Sequence, residues 1–122
     1  MTTVRLYLMT RQTLVQLHRN IKFERVPCIG EWLRFERSGL LPHQITEVEH
    51  GERGDVEVVI GLQKDDSGKL LFHETAEDLQ YDVEELVKGG WKVVSEKPNR
   101  YWGKKVGKRL QRSTPAGAKR RR

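Results

Sequence analysis

The charged residues of this chain fall into two unlike parts, and this division limits how much of it can fold. Residues 104–122 contain nine Lys and Arg residues and no Asp or Glu. Residues 1–103 contain 14 basic residues and all 17 acidic residues. The large apolar residues of the basic segment are Val106 and Leu110, which are too few to build a core. We therefore expect one domain over residues 1–103 (the body) and a flexible basic arm over residues 104–122 (the arm).

Alternation of apolar and polar residues predicts that the body is rich in strands. The predicted strands cover residues 4–10, 21–26, 31–35, 43–50, 55–62, 69–72 and 91–95. Residues 12–19 leave helix and strand both open, because their apolar positions fit either period. Gly51 and Gly54 separate two strand-like runs, which predicts a hairpin, and Asp65 to Gly68 is typical of another turn.

One segment of the body has the pattern of an amphipathic helix. Thr75 suits the N-cap, and Glu77 and Asp78 suit the positive end of the helix dipole. A helical apolar stripe follows, and Gly89 and Gly90 indicate its end. The stripe consists of Leu79, Val83, Leu86 and Val87. The predicted fold class is α+β: a small, mostly antiparallel sheet or half-open barrel of five to six strands, with this one helix near its C-terminal end.

Two stretches resemble a pattern in small bacterial, phage and mobile-cassette proteins of uncharacterised function. Residues 26–33 read Val-Pro-Cys-Ile-Gly-Glu-Trp-Leu, and residues 44–50 form a strand-like run that ends in a histidine. Those proteins look like small half-open barrels. The resemblance implies such a barrel here and carries no activity with it.

Metal and nucleophile chemistry lack support in the spacing of the soft side chains. Cys28, His43, His50 and His73 match no paired zinc spacing, and we interpret the histidines as solvated. Cys28 follows a proline in a predicted turn, and we interpret it as a small buried apolar residue rather than as a nucleophile.

Carboxylate pairs and glycine loops also indicate ordinary structure. Asp65–Asp66 and Glu84–Glu85 are adjacent pairs, and neighbouring residues do not share a face of a helix. Glycines 51, 54, 89, 90, 103 and 107 do not follow the dinucleotide or P-loop patterns. We expect no catalytic residue, no metal and no cofactor. Trp32, Phe35 and Trp91 are predicted to belong to the core.

The arm and the residues just before it carry the strongest functional signal. Lys and Arg bind phosphates, and Tyr or Trp can stack on unpaired bases. The predicted nucleic-acid-binding residues are Arg100, Tyr101, Trp102, Lys104, Lys105, Lys108, Arg109, Arg112, Lys119, Arg120, Arg121 and Arg122.

These patterns predict a small non-enzymatic binding module that contacts RNA, DNA or a nucleoprotein particle through its basic arm. The alternative is a phage or mobile-element accessory or assembly protein whose sheet joins a protein partner or another copy of the chain. A single cysteine favours a reducing, cytoplasmic setting. Since no run of about 18 apolar residues occurs, we expect no membrane partner.

Overall fold

A computed structural model describes residues 2–36 and 40–100 of the chain. These residues form seven strands and one helix, and the fold class is α+β. The elements are β1 (Thr2–Met9), β2 (Thr13–Ile21), β3 (Trp32–Leu33), β4 (His43–Gln44), β5 (Glu47–His50), β6 (Val56–Ile60), α1 (Ala76–Lys88) and β7 (Lys92–Pro98).

Five of the strands form one mixed sheet, in the order β5-β6-β1-β2-β7. The β1–β2, β5–β6 and β2–β7 pairs are antiparallel, whereas β1 and β6 are parallel. Strands β3 and β4 form a separate two-stranded ribbon. The main sheet is open, with β5 and β7 at its edges, so it is not a closed barrel.

The predicted strands are confirmed where the alternating apolar residues lie in the core or where a hairpin turn adjoins the strand. β1 and β6 lie where the pattern places them. Of residues 12–19, which the sequence left open, 13–19 belong to β2 and Gln12 lies in the turn before it. The hairpin between β5 and β6 is also confirmed, with Gly51 N donating to Asp55 O at 2.8 Å and Gly54 at a φ of 90°. A positive φ of this kind favours glycine.

Four strand predictions are wrong in extent. The run at 21–26 is a strand only at Ile21, and Phe23 and Val26 pack against the core from irregular backbone. The run at 43–50 is divided between β4 and β5, because Ile45 N donates to Glu31 O beside the ribbon whereas Thr46 N donates to Val59 O of β6. The run at 31–35 shortens to β3, and the one at 69–72 reduces to a single bridge between Lys64 and Leu70.

Helix α1 begins and ends as its sequence predicts. The Thr75 hydroxyl accepts a hydrogen bond from Asp78 N at 3.0 Å, and Gly89 N donates to Glu85 O at 3.2 Å. Leu79, Val83 and Leu86 are buried, whereas Val87 is exposed. Within the part of the chain that the structure describes, no helix has the length and apolar character needed to traverse a lipid bilayer.

The core lies between α1 and one face of the sheet. The helix side chains pack on inward-facing residues of β1, β2 and β6, together with Phe35, Ile45 and Trp91. The inward-facing sheet residues are Val4, Leu6, Leu8, Val15, Leu17, Val58 and Ile60. A smaller cluster around Met9 and Leu70 covers one end of the opposite sheet face. Burial of these apolar groups is the main stabilising contribution to the fold.

Candidate nucleic-acid interface

The last described residues of the chain are anchored beside the β1–β2 turn. Asn99 is buried, its backbone N donates to Gln12 O at 2.8 Å, and its side-chain Nδ2 donates to Thr10 O at 2.8 Å. Arg100 follows immediately and is exposed. The other predicted nucleic-acid-binding residues lie outside the described residues: Tyr101, Trp102, Lys104, Lys105, Lys108, Arg109, Arg112, Lys119, Arg120, Arg121 and Arg122.

Charge changes sign across the main sheet, from the β5 edge to the β7 edge. Glutamates occupy the acidic side, at Glu47 and Glu49 on β5 and at Glu57 on β6. Cations outnumber acids on the other side, where Arg19 on β2 and Lys92 and Lys97 on β7 stand against Glu96. Because β7 leads directly to Arg100, the arm is joined to the basic edge of the sheet.

The sheet face that points away from α1 presents polar side chains in register. Arg5 pairs with His18 across β1 and β2, and His18 pairs with Lys92 across β2 and β7. Tyr7 and Gln16 form the next row of the same face. Successive residues of a strand alternate between faces, so these five side chains share the face that the helix does not cover. We call it the open face.

Arg5 marks the point on the open face at which the charge changes sign. It forms an ion pair with Glu57 of the neighbouring strand. Its pKa lies above the ordinary value because of a side-chain hydrogen bond with Tyr7 and the negative charge of Glu57. Arg5 is therefore held as a cation at the centre of the sheet, between the acidic and basic edges.

The histidines differ from the solvated state that the sequence suggested. His73 Nε2 lies 2.7 Å from Asp82 Oδ2, and both side chains are largely buried. His43 is partly buried, with Nδ1 2.8 Å from the Leu41 carbonyl oxygen. His50 on β5 is exposed, as predicted. Among residues 2–36 and 40–100, no three His, Cys, Asp or Glu residues are grouped so that they could hold a metal ion.

Stability is expected to fall on acidification because of His43. Burial lowers the pKa of His43 from its ordinary value of 6.5, and the nearby charge of His73 also lowers it, while hydrogen bonds to the Leu41 and Pro42 backbone and the charge of Asp82 oppose the shift. Between the folded pKa and 6.5 the unfolded chain binds more protons, so the free energy of unfolding decreases as pH falls through that window. Urea unfolding at pH 7.5 and 5.5 measures this loss.

Two glutamine variants separate His43 from the other titrating groups. His43→Gln is expected to reduce the loss of stability between the two pH values, whereas exposed His50→Gln leaves that loss unchanged. Equal losses in wild type and His43→Gln would contradict the assignment.

Cys28 is exposed, so its interpretation as a buried apolar residue is wrong. Its backbone N donates to Glu31 Oε1 at 2.6 Å, and Arg25 Nη2 donates to Glu31 Oε2 at 2.8 Å. The Arg25 hydrogen bonds, followed by the one from Cys28 N, lower the pKa of Glu31 to about 2. These contacts close the turn before β3.

The three aromatic residues assigned to the core divide into two groups. Phe35 and Trp91 are buried, with ring centroids 5.9 Å apart. Trp32 is 63% exposed, so its assignment to the core is wrong. In β3, Leu33 packs against the core while its neighbour Trp32 points the other way, which the two-residue strand period explains.

Comparison with known proteins identifies no relative of this chain. No protein-family model matches it, and neither the curated proteins nor the solved structures give a significant match.

Proposed function

We propose that this chain is a small, non-enzymatic nucleic-acid-binding module whose basic arm contacts phosphates and whose basic sheet edge extends that contact. The observation that carries the proposal is the sign change of charge across the sheet, with the arm joined to the basic edge. Polyanions are attracted to clustered Lys and Arg, while the acidic β5 edge disfavours them. These opposite edges orient the body on its partner.

Three cations of the described residues support a contact that continues from the arm onto the body. Lys92, Lys97 and Arg100 are all exposed and lie on or directly after β7. The first two share the open face with Arg5 and His18, because their β2 partners, His18 and Leu14, lie on that face. Such a row suits the backbone of a nucleic acid, and phosphate contacts give affinity without reading sequence.

An assembly function is the second candidate, and the edge position of β7 is the observation that favours it. Val93 and Val94 are 45% and 49% exposed on this strand, whose outer backbone groups could pair with another chain. The same strand also carries two lysines, a register shift opposite Gln16 and Leu17, and a terminal proline. Each of these features disfavours edge-to-edge pairing, so we rank nucleic-acid binding first.

Salt dependence tests the proposed function on the full chain. If half of the nine arm cations engage phosphates, the slope of log K against log salt is about −4 on duplex DNA and about −3 on a single strand. Fluorescence anisotropy with labelled 20-nucleotide probes over 0.05–0.2 M salt measures the slope. Binding that is absent, or that does not change with salt, would contradict the proposal. A partner that co-purifies and survives high salt would favour the assembly function instead.

A further inference from the structure

A second charged surface lies on the helix side of the molecule. Its centre is a cavity of about 530 Å³ that we call the helix cavity. The cavity is lined by Phe72, His73, Glu74, Asp78, Tyr81 and Asp82. Within residues 74–88, six acidic residues accompany one lysine. The surface therefore combines carboxylates with aromatic rings, a combination that attracts ammonium and guanidinium groups.

One aromatic residue of the helix cavity is exposed, and the other already contacts a cation. Tyr81 is 62% exposed on the outer surface of α1. The Phe72 ring already carries a cation, since the Arg11 guanidinium carbon lies 5.3 Å from its centroid. Asp82 contacts His73, and the carboxylates of Glu74 and Asp78 add negative charge beside that pair.

One wall of the helix cavity and Asn99 are held by adjacent backbone groups. His73 N donates to Met9 O at 2.8 Å, and Asn99 Nδ2 donates to Thr10 O at 2.8 Å. Consecutive Cα atoms are about 3.8 Å apart, so one wall of the cavity and the residue preceding Arg100 are held close together. Arg100, the last described residue, is therefore close to the acidic surface as well as to the basic end of β7.

We propose that the helix cavity and the acidic outer face of α1 bind the Lys and Arg residues of this chain's own arm. Opposite charges support the contact, because the arm contains nine cations and no anion, whereas residues 74–88 contain six acids. Reach also permits it: if the arm behaves as the flexible segment that its sequence predicts, its 19 residues span about 25 Å, and the 13-residue helix is about 20 Å long. Nucleic acid and the acidic helix then compete for the same cations, so the contact favours strongly charged partners over weak ones.

Zero-length carbodiimide cross-linking of the full chain tests this contact without any nucleic acid. At micromolar protein and low salt, we expect amide bonds between arm lysines and Glu77, Asp78 or Glu84 of the same molecule, identified by mass spectrometry. These acids are exposed, and the cross-links should disappear at high salt because the attraction is screened. Cross-links spread equally over the β5 acids and the helix, or formed mainly between two copies, would overturn the proposal.

Two charge-matched variants measure the competition. The triple variant is Glu77→Gln, Asp78→Asn, Glu84→Gln. It is expected to bind a labelled oligonucleotide about threefold to tenfold more tightly at 0.05 M salt, because fewer molecules have their arm bound to the helix and more arms are available to the oligonucleotide. Its control, Glu47→Gln, Glu49→Gln, Glu52→Gln, removes the same charge from exposed positions on and beside β5. Equal gains in the two variants would show a general charge effect and overturn the proposal. Absence of nucleic-acid binding in every variant would contradict the proposed function, and the cross-linking result would still decide whether the arm docks.

Discussion

Ending the chain at Gly103 is expected to lower its affinity for nucleic acid by about two orders of magnitude at 0.1 M salt. The truncation removes nine cations and changes the formal net charge from +6 to −3. With a slope of about −4, affinity changes about 250-fold over a fourfold range of salt, so contacts of this kind dominate binding at low salt. Anisotropy with labelled single-stranded and duplex probes measures the loss.

Two arm variants of unchanged length show whether charge is responsible. Replacing the nine Lys and Arg residues by Gln should weaken binding as much as truncation does. Scrambling the order of the arm residues should preserve binding, because phosphate contacts do not require a particular sequence. A truncated chain that binds as tightly as the full chain would assign the interface to the body and contradict the proposed function.

Local signals in the sequence were sufficient to predict the helix and the hairpin turns. Thr75 and Gly89 cap α1 within its own sequence, and the spacing of Leu79, Val83 and Leu86 determines which side is buried. The hairpin between β5 and β6 is closed by hydrogen bonds within residues 51–55. Each of these features is decided by neighbours a few residues apart, which a single sequence displays.

Pairing between distant segments could not be read in this way. β1 lies parallel to β6, which is more than 50 residues away, and alternation does not reveal the direction of a partner strand. Residues 21–26 alternate like a strand but lie beyond the partner of β2, since Thr2, the first residue of β1, pairs with Ile21. Without a partner on that side, Phe23 and Val26 reach the core from irregular chain.

For the same reason, only part of the candidate interface could be predicted from the sequence. The cations of the arm are consecutive and need no fold to be recognised. The opposing edges of the sheet became apparent only once the strand order put β5 and β7 on opposite sides. Likewise, the pairing of His73 with Asp82 depends on how the chain before α1 folds back against the helix, which the sequence does not show.

Replacing Trp91 by Ala is expected to destabilise the fold by about 3–5 kcal/mol, which is the usual cost of deleting a large buried aromatic side chain. Trp91 is 4% exposed, contacts the Phe35 ring, and donates from its backbone N to Leu86 O at 3.0 Å. Loss of the indole leaves a cavity between the end of α1 and the sheet. Urea denaturation followed by far-UV circular dichroism measures the change in the free energy of unfolding.

Trp32→Ala is the matched control, because it deletes the same side chain from an exposed position. Trp32 is 63% exposed, and its backbone pairs with Gln44 whatever side chain it bears. Surface substitutions of this kind usually change stability by less than about 0.5 kcal/mol. Because the two variants differ only in the burial of the deleted indole, a similar loss in both would contradict the assignment of Trp91 to the core and Trp32 to the surface. A large loss in Trp91→Ala alone would instead confirm that the Trp91 side chain belongs to the core that joins the end of α1 to the sheet.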